Sequence, residues 1–267
     1  MKYIKTGRYL SLLALVSAVG CHTPTGESQQ VTAPPDSLHV RNRPHETLVY
    51  ANDTISIYQI DSLSFFAEQD RENSKRDTIP YLTDIAQVKD MLAGRVVFGG
   101  WNAGTDQVDS LLAGEMIASI QVPGEKLTKP VSPTALYDAS FSKYFPDEDI
   151  LLLEGGHTSD LAIDLKSGNT DVGQVGNPDY VVQKQGLPFR LTGWFPGQEC
   201  SSYFLQRRVG DRFVYYTSLP IHVEDKPFTW CTLTAIFWKS EKELYFRNTY
   251  FGNTDDERLG FFKLIIK

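Results

Sequence analysis

The 267 residues are 41% hydrophobic, 22% charged and 12% aromatic, a composition that fits a folded protein and excludes disorder for the bulk of the chain. The length suits one domain of somewhat over 200 residues once the ends are set aside, and the supply of Tyr and Phe favours strands over helices. With 33 acidic against 26 basic residues the net charge is −7, and a surface of that sign repels phosphate backbones, which argues against nucleic acid as a partner.

Lys2, Lys5 and Arg8 are the only charges among the first twenty residues, and Leu10 to Gly20 (LSLLALVSAVG) follow as an uncharged, mostly apolar run. A bilayer span needs about 20 such residues, whereas a signal-peptide core needs about 7 to 15, so the run reads as the latter. It closes on Ser17-Ala18-Val19-Gly20 directly before Cys21. This ending resembles the lipobox of bacterial lipoproteins, with Gly20 and Cys21 at its last two positions and Ala18 where the family prefers Leu. The resemblance implies a lipoprotein signal peptide over residues 1–20, cleavage before Cys21, diacylglycerol on the Cys21 thiol and acylation of the new amino terminus. The membrane would then be a partner through that lipid, since two or more acyl chains anchor stably where one does not. Ordinary secretory cleavage with Cys21 incidental is the alternative. Loss of the three leader cations would take the net charge from −7 to near −10.

Residues 21–46 form the lipidated N-terminus and a tether. His22 to Ser37 hold Pro24, Gly26, Pro34 and Pro35 among polar residues, with Val31 the only sizeable aliphatic side chain. No acidic tract follows Cys21, so the expected address is the outer membrane, facing the periplasm. Cys200 and Cys231 remain in the body. In an oxidising compartment an even remainder invites a bridge, which by loop closure would contribute on the order of 3 kcal/mol; two buried thiols are the alternative.

Residues 47–267 read as a single mainly β domain. Thr47 to Ala51 and Thr54 to Asp61 are two strands joined at Asn52-Asp53, and Glu68 to Thr78 (EQDRENSKRDT) is a solvated loop. One short helix is predicted near 84–93: Thr83 or Asp84 caps it, Ile85, Val88, Met91 and Leu92 share a face, and Gly94 ends it. Arg95 to Phe98, Gln107 to Ala113 and Met116 to Val122 follow as strands. A helix over Gln107 to Ile120 is disfavoured by Gly114 at its centre. Asp149 to Glu154, Leu161 to Leu165, Phe189 to Phe195, Ser201 to Val209, Arg212 to Thr217, Leu233 to Lys239, Leu244 to Phe251 and Phe261 to Ile266 complete the set, with a tight hairpin at Gly210-Asp211.

Three strand–turn–strand stretches, Ile150 to Leu165, Phe189 to Gln206 and Ala235 to Tyr250, share an outline at a spacing close to that of propeller blades, and the outline resembles β-propellers. The same antiparallel hairpins would equally build an irregular β-sandwich, so the fold class stands as mainly β, propeller-like or sandwich.

Glu154-Gly155-Gly156-His157-Thr158-Ser159-Asp160 is the densest polar cluster beside a strand end, and Glu154, His157 and Asp160 are its candidate functional groups. A hydrolytic triad from His157, Ser159 and Asp160 is poorly served by members two residues apart in a glycine turn, and Ser159 lacks a G-x-S-x-G elbow. No catalytic residue is assigned. The five histidines form no H-x-x-x-H pair and no C-x-x-C occurs, while Asp147-Glu148-Asp149 and Asn253 to Glu257 lack the spacing of a calcium loop. No metal and no cofactor is expected. Gly168 to Gly176 lead to Asn177-Pro178 and strand residues rather than to a phosphate-binding helix, so these glycines read as turns. Adjacent aromatics such as Tyr215-Tyr216 and Phe237-Trp238 place one ring on each face of a strand, one for the core and one for a covering element or a partner.

The leading expectation is therefore a non-enzymatic, lipid-anchored envelope protein that binds another envelope protein or a glycan. A hydrolase of an envelope polymer and a structural lipoprotein without a discrete ligand site are the alternatives.

Overall fold

The computed structural model describes residues 46–71, 78–124, 129–130, 139–197, 200–223, 228–249 and 260–267, all within one compact unit, Asn42–Lys267. The leader, Cys21 and the tether up to residue 45 lie outside the described residues, as does the acidic loop Asn253 to Glu257. In chain order the strands are β1 (Thr47–Ala51), β2 (Ile55–Ile60), β3 (Val96–Asn102), β4 (Gln107–Asp109), β5 (Met116–Ile120), β6 (Lys129–Pro130), β7 (Ser140–Phe145), β8 (Ile150–Glu154) and β9 (Asp160–Asp164). They continue with β10 (Asn177–Val182), β11 (Phe189–Trp194), β12 (Ser202–Val209), β13 (Arg212–Ser218), β14 (His222–Val223), β15 (Phe228–Thr229), β16 (Thr232–Trp238), β17 (Glu243–Thr249) and β18 (Gly260–Ile266). Short helices α1 (Ser62–Gln69), α2 (Ile85–Met91) and α3 (Val172–Val175) interrupt them.

The fold is mainly β and antiparallel, and its two ends meet: β2 pairs with β18, which gives a sheet of order β1-β2-β18-β17-β16. Alternation sends Ile57, Leu244, Phe246, Phe262 and Leu264 to one face of this sheet. There they share a core with Leu191, Tyr203 and Leu205 of the sheet β10-β11-β12-β13, the layering of a β-sandwich. Leu233 and Trp238 reach the same core despite opposite parity, because a bulge between Thr234 and Phe237, with Ala235 at φ +47°, shifts the alternation by one residue.

The middle of the chain builds a second core. Val88 and Leu92 at the α2 end, Ile117 and Ile120 of β5, and Tyr144, Leu151, Leu153 and Ile163 pack together beneath the sheets β4-β3-β5-β6 and β7-β8-β9. β8 is the central strand of its sheet, and its run Ile150-Leu151-Leu152-Leu153 is buried throughout: Leu151 and Leu153 enter this core, whereas Ile150 and Leu152 pack with Phe145 and Val175 on the other face. A continuous apolar run is the signature of a strand covered on both sides.

Several local expectations are corrected. Glu68 does not open a loop; it lies in α1, which Asp61 caps by accepting from the Ser64 N–H at 2.8 Å and the Ser64 hydroxyl at 2.7 Å. The helix starts upstream of the charged run, at the Asp61 cap, and is held by the buried Phe65. The predicted helix near 84–93 is present as α2, capped by Asp84, but it is one of three among the described residues. Of Gln107 to Ala113 only Gln107–Asp109 pairs, because Asp109 turns the chain by accepting from the Leu111 N–H. Within Gly168 to Gly176, Asp171 caps the single helical turn α3. The three hairpins of similar outline belong to three sheets of different strand number, so their common spacing reflects hairpin length.

Candidate functional site

The polar loop singled out in the sequence is positioned by β8 and β9. Glu154 and His157 are exposed, and His157 and Thr158 adopt positive φ in a one-turn 3₁₀ segment, Gly156–Thr158. Asp160 turns inward: its carboxylate accepts from the Phe195 N–H at 2.7 Å while its own N–H donates to the Phe195 carbonyl at 2.8 Å. Burial holds the Asp160 carboxyl above the usual carboxylate range, against the lowering effect of the Phe195 N–H and the Asn177 side chain. The three candidates are therefore not convergent. Asp160 ties β9 to the end of β11, whereas Glu154 and His157 face solvent.

A different place gathers chemistry. A cleft of about 570 Å³ opens between the β7–β8 and β9 turns on one side and the β12–β13 hairpin on the other. Its floor is Arg190 of β11, a strand with a neighbour on each side, and Arg190 is only 2% exposed. Two guanidinium nitrogens donate to the two Glu148 carboxylate oxygens at 2.8 and 3.0 Å, and Nε donates to Gln206 Oε1 at 2.7 Å. Gln206 is held in turn by donating Nε2 to the carbonyls of Gln174 and Val175 at 3.0 and 3.2 Å. A buried cation needs such a bidentate carboxylate partner and further hydrogen bonds to offset its lost hydration.

The wall of the cleft is aromatic and cationic. Phe213 lies 4.2 Å from the Arg190 guanidinium and 4.9 Å from that of Arg208, measured to the ring centroid. Tyr215, two residues on along β13, lines the same cleft and is 42% exposed. Its ring packs on Phe204, and its hydroxyl lies 3.0 Å from Ser218 Oγ. Lys166, Arg208 and Arg212 also line the cleft and have no carboxylate partner among the described residues. Asp147, Asp164 and Asp211 line it too: Asp211 precedes Arg212 in the β12–β13 turn, and Asp164 accepts from the backbone N–H of Lys166 at 2.9 Å and so belongs to its own turn.

The acidic stretch Asp147-Glu148-Asp149 is thus not simply solvated. Glu148 binds Arg190, and Asp149, at φ +57°, accepts from Arg95 at 2.7 and 3.1 Å and from the Tyr144 hydroxyl at 2.9 Å. Burial, with a lesser effect from the Asp149 hydrogen bond, pushes the Tyr144 hydroxyl up to about 12. The bridge between Cys200 and Cys231 is present, with Cα atoms 4.1 Å apart, and it fastens the start of β12 to the start of β16. Nearby, a groove of about 420 Å³ is lined by Tyr180, Phe195, Tyr203 and Leu233.

Among the described residues the cleft sets paired donors and acceptors beside the rings of Phe213 and Tyr215, and His157 is not among its lining residues. Sequence reasoning missed Arg190, Glu148, Arg208 and Tyr215 as a set. The basic run Gln206-Arg207-Arg208, with Arg212 just beyond it in an acidic chain, was the local signal. No family model, curated protein or solved structure matches this chain.

Proposed function

We propose that this chain is a lipid-anchored envelope protein, held to the outer membrane on its periplasmic side through lipid on Cys21, whose β-domain binds another envelope protein or a glycan in the Arg190 cleft. The N-terminal pattern supports the address, because a basic stretch, a short apolar core and a small residue before cysteine are what lipoprotein export reads. The observation that carries the binding reading is the cleft floor. A 2%-exposed arginine, bonded on three nitrogens and packed on Phe213, gives a rigid base to an opening within the ~300–1,000 Å³ range of ligand sites.

The test has two arms. Cys21→Ser should move the chain from the membrane to the soluble fraction, and mass spectrometry of the native protein should find diacylglycerol on that residue. Crosslinking in intact envelopes, followed by capture, should recover an envelope component that Arg208→Ala and Tyr215→Ala reduce. An unmodified Cys21 would overturn the address, and capture indifferent to both cleft variants would overturn the binding site.

A further inference from the structure

The charges that line the cleft cancel. Lys166, Arg190, Arg208 and Arg212 stand against Asp147, Glu148, Asp164 and Asp211, in a chain whose net charge is −7. A site built for a polyanion or a polycation would carry a surplus of the opposite sign, since the summed potential sets which ion gathers there. Here donors and acceptors instead lie side by side. Asn169, Gln174 and Gln183 add amides that both donate and accept. The complement of such a lining is a ligand whose own groups donate and accept at close spacing without net charge.

The aromatic groups narrow the class further. Phe213 and Tyr215 are alternate residues of β13, so their rings project from the same face of the strand. Both are held before any ligand arrives, Phe213 by two guanidinium groups and Tyr215 by Phe204 and Ser218. Fixed rings beside hydrogen-bonding groups suit a molecule with flat C–H faces and a rim of hydroxyls, and fixing them beforehand removes an ordering cost from binding. We propose that the cleft binds a neutral saccharide segment, with one sugar stacked on the exposed Tyr215 ring, beside a Phe213 ring that the Arg190 and Arg208 guanidinium groups already occupy, and its hydroxyls bonded by Arg208, Arg212 and Asp211. This rests on the reading of the cleft as a binding site and names its ligand class.

The test is calorimetric titration of the full chain, in detergent, with maltotetraose, cellotetraose and tetra-N-acetylchitotetraose as neutral probes. Tetragalacturonate and inorganic phosphate serve as anionic ones. Saturable binding of at least one neutral probe is expected, changing less than about twofold between ~0.05 and ~0.3 M salt, because no net charge is neutralised. Tyr215→Ala and Arg208→Ala should each weaken it about tenfold, with Tyr215→Phe retaining most of the affinity. Circular dichroism would verify that the variants are folded. No neutral probe binding at millimolar concentration, binding of anions alone with steep salt dependence, or affinity unchanged in both alanine variants would each overturn the saccharide assignment. If the neutral probes fail while crosslinked capture still depends on Arg208 and Tyr215, the saccharide inference falls and the binding site stands with a protein occupant. If capture is indifferent as well, both fall.

Discussion

The bond between Arg190 and Glu148 links the two cores of the protein, since Arg190 belongs to the sheet β10-β11-β12-β13 and Glu148 to the turn before β8. The partners are unequally placed: the Arg190 side chain is 2% exposed and that of Glu148 is 22%. Truncating Glu148 to alanine leaves a buried cation whose remaining partners among the described residues are Gln206 Oε1 and the Phe213 ring. Removing one member of a buried pair costs roughly 3–5 kcal/mol, and the partial exposure of Glu148 lowers the expectation here to about 2–4 kcal/mol. Arg190→Met removes the guanidinium from the Phe213 ring and orphans the buried Gln206 Oε1, a loss of about 1–3 kcal/mol. In the double variant the unpaired charge is gone, so its cost should fall short of the sum of the single ones by about 1.5–3 kcal/mol. Urea unfolding of the four proteins, followed by tryptophan fluorescence, measures the cycle. Additivity within about 0.5 kcal/mol would show that the two charges are not coupled and that the cleft floor is held by packing alone.

Further outcomes follow from other contacts. Replacing Cys200 and Cys231 by serine opens a link across 31 positions, for which loop closure gives a loss of about 3.7 kcal/mol, read as a lower urea midpoint; an unchanged midpoint would show that the bridge constrains nothing in the unfolded chain. The pKa of Asp160 is raised above 3.8, so the folded state binds its proton more tightly than the unfolded one. Its contribution is therefore greatest below about pH 3.8 and is lost as pH rises through the folded value. Asp160→Asn keeps an oxygen for the Phe195 N–H, and wild type should lose stability relative to it as pH rises from about 4 toward 7; the opposite trend in paired melting curves would refute the burial argument. A Cβ on Gly114 would lie 2.3 Å from the Gly99 carbonyl oxygen. Gly114→Ala should accordingly cost about 1–3 kcal/mol by thermal melting, although the residue is not in a strand.

Much of the framework was legible from local pattern. The alternation in Leu244 to Phe246, the turn at Gly210-Asp211 and the Asp84 cap each state their element within a few residues, because strand period, turn conformation and capping are short-range physics. The even pair of body cysteines raised a bridge as one of two readings, and the structure, with Cα atoms 4.1 Å apart, decides for it. Less visible was which surface each helix covers. Phe65 of α1 packs on Phe237, Tyr245 and Phe261, so α1 and not α2 closes the outer face of the β1–β16 sheet.

The densest polar cluster beside a strand end, Glu154 to Asp160, turned out to hold no convergent group, while the cleft draws on Glu148, Arg190, Arg208 and Tyr215 from separate strands and turns. Residue chemistry along the chain determined strands, turns, caps and the even pair of cysteines, since those depend on neighbours a few positions away. Only the stacking of sheets decided that Glu148 meets Arg190 across 42 positions. That meeting is set by how two cores pack, and packing depends on the summed shape of surfaces that no local window contains.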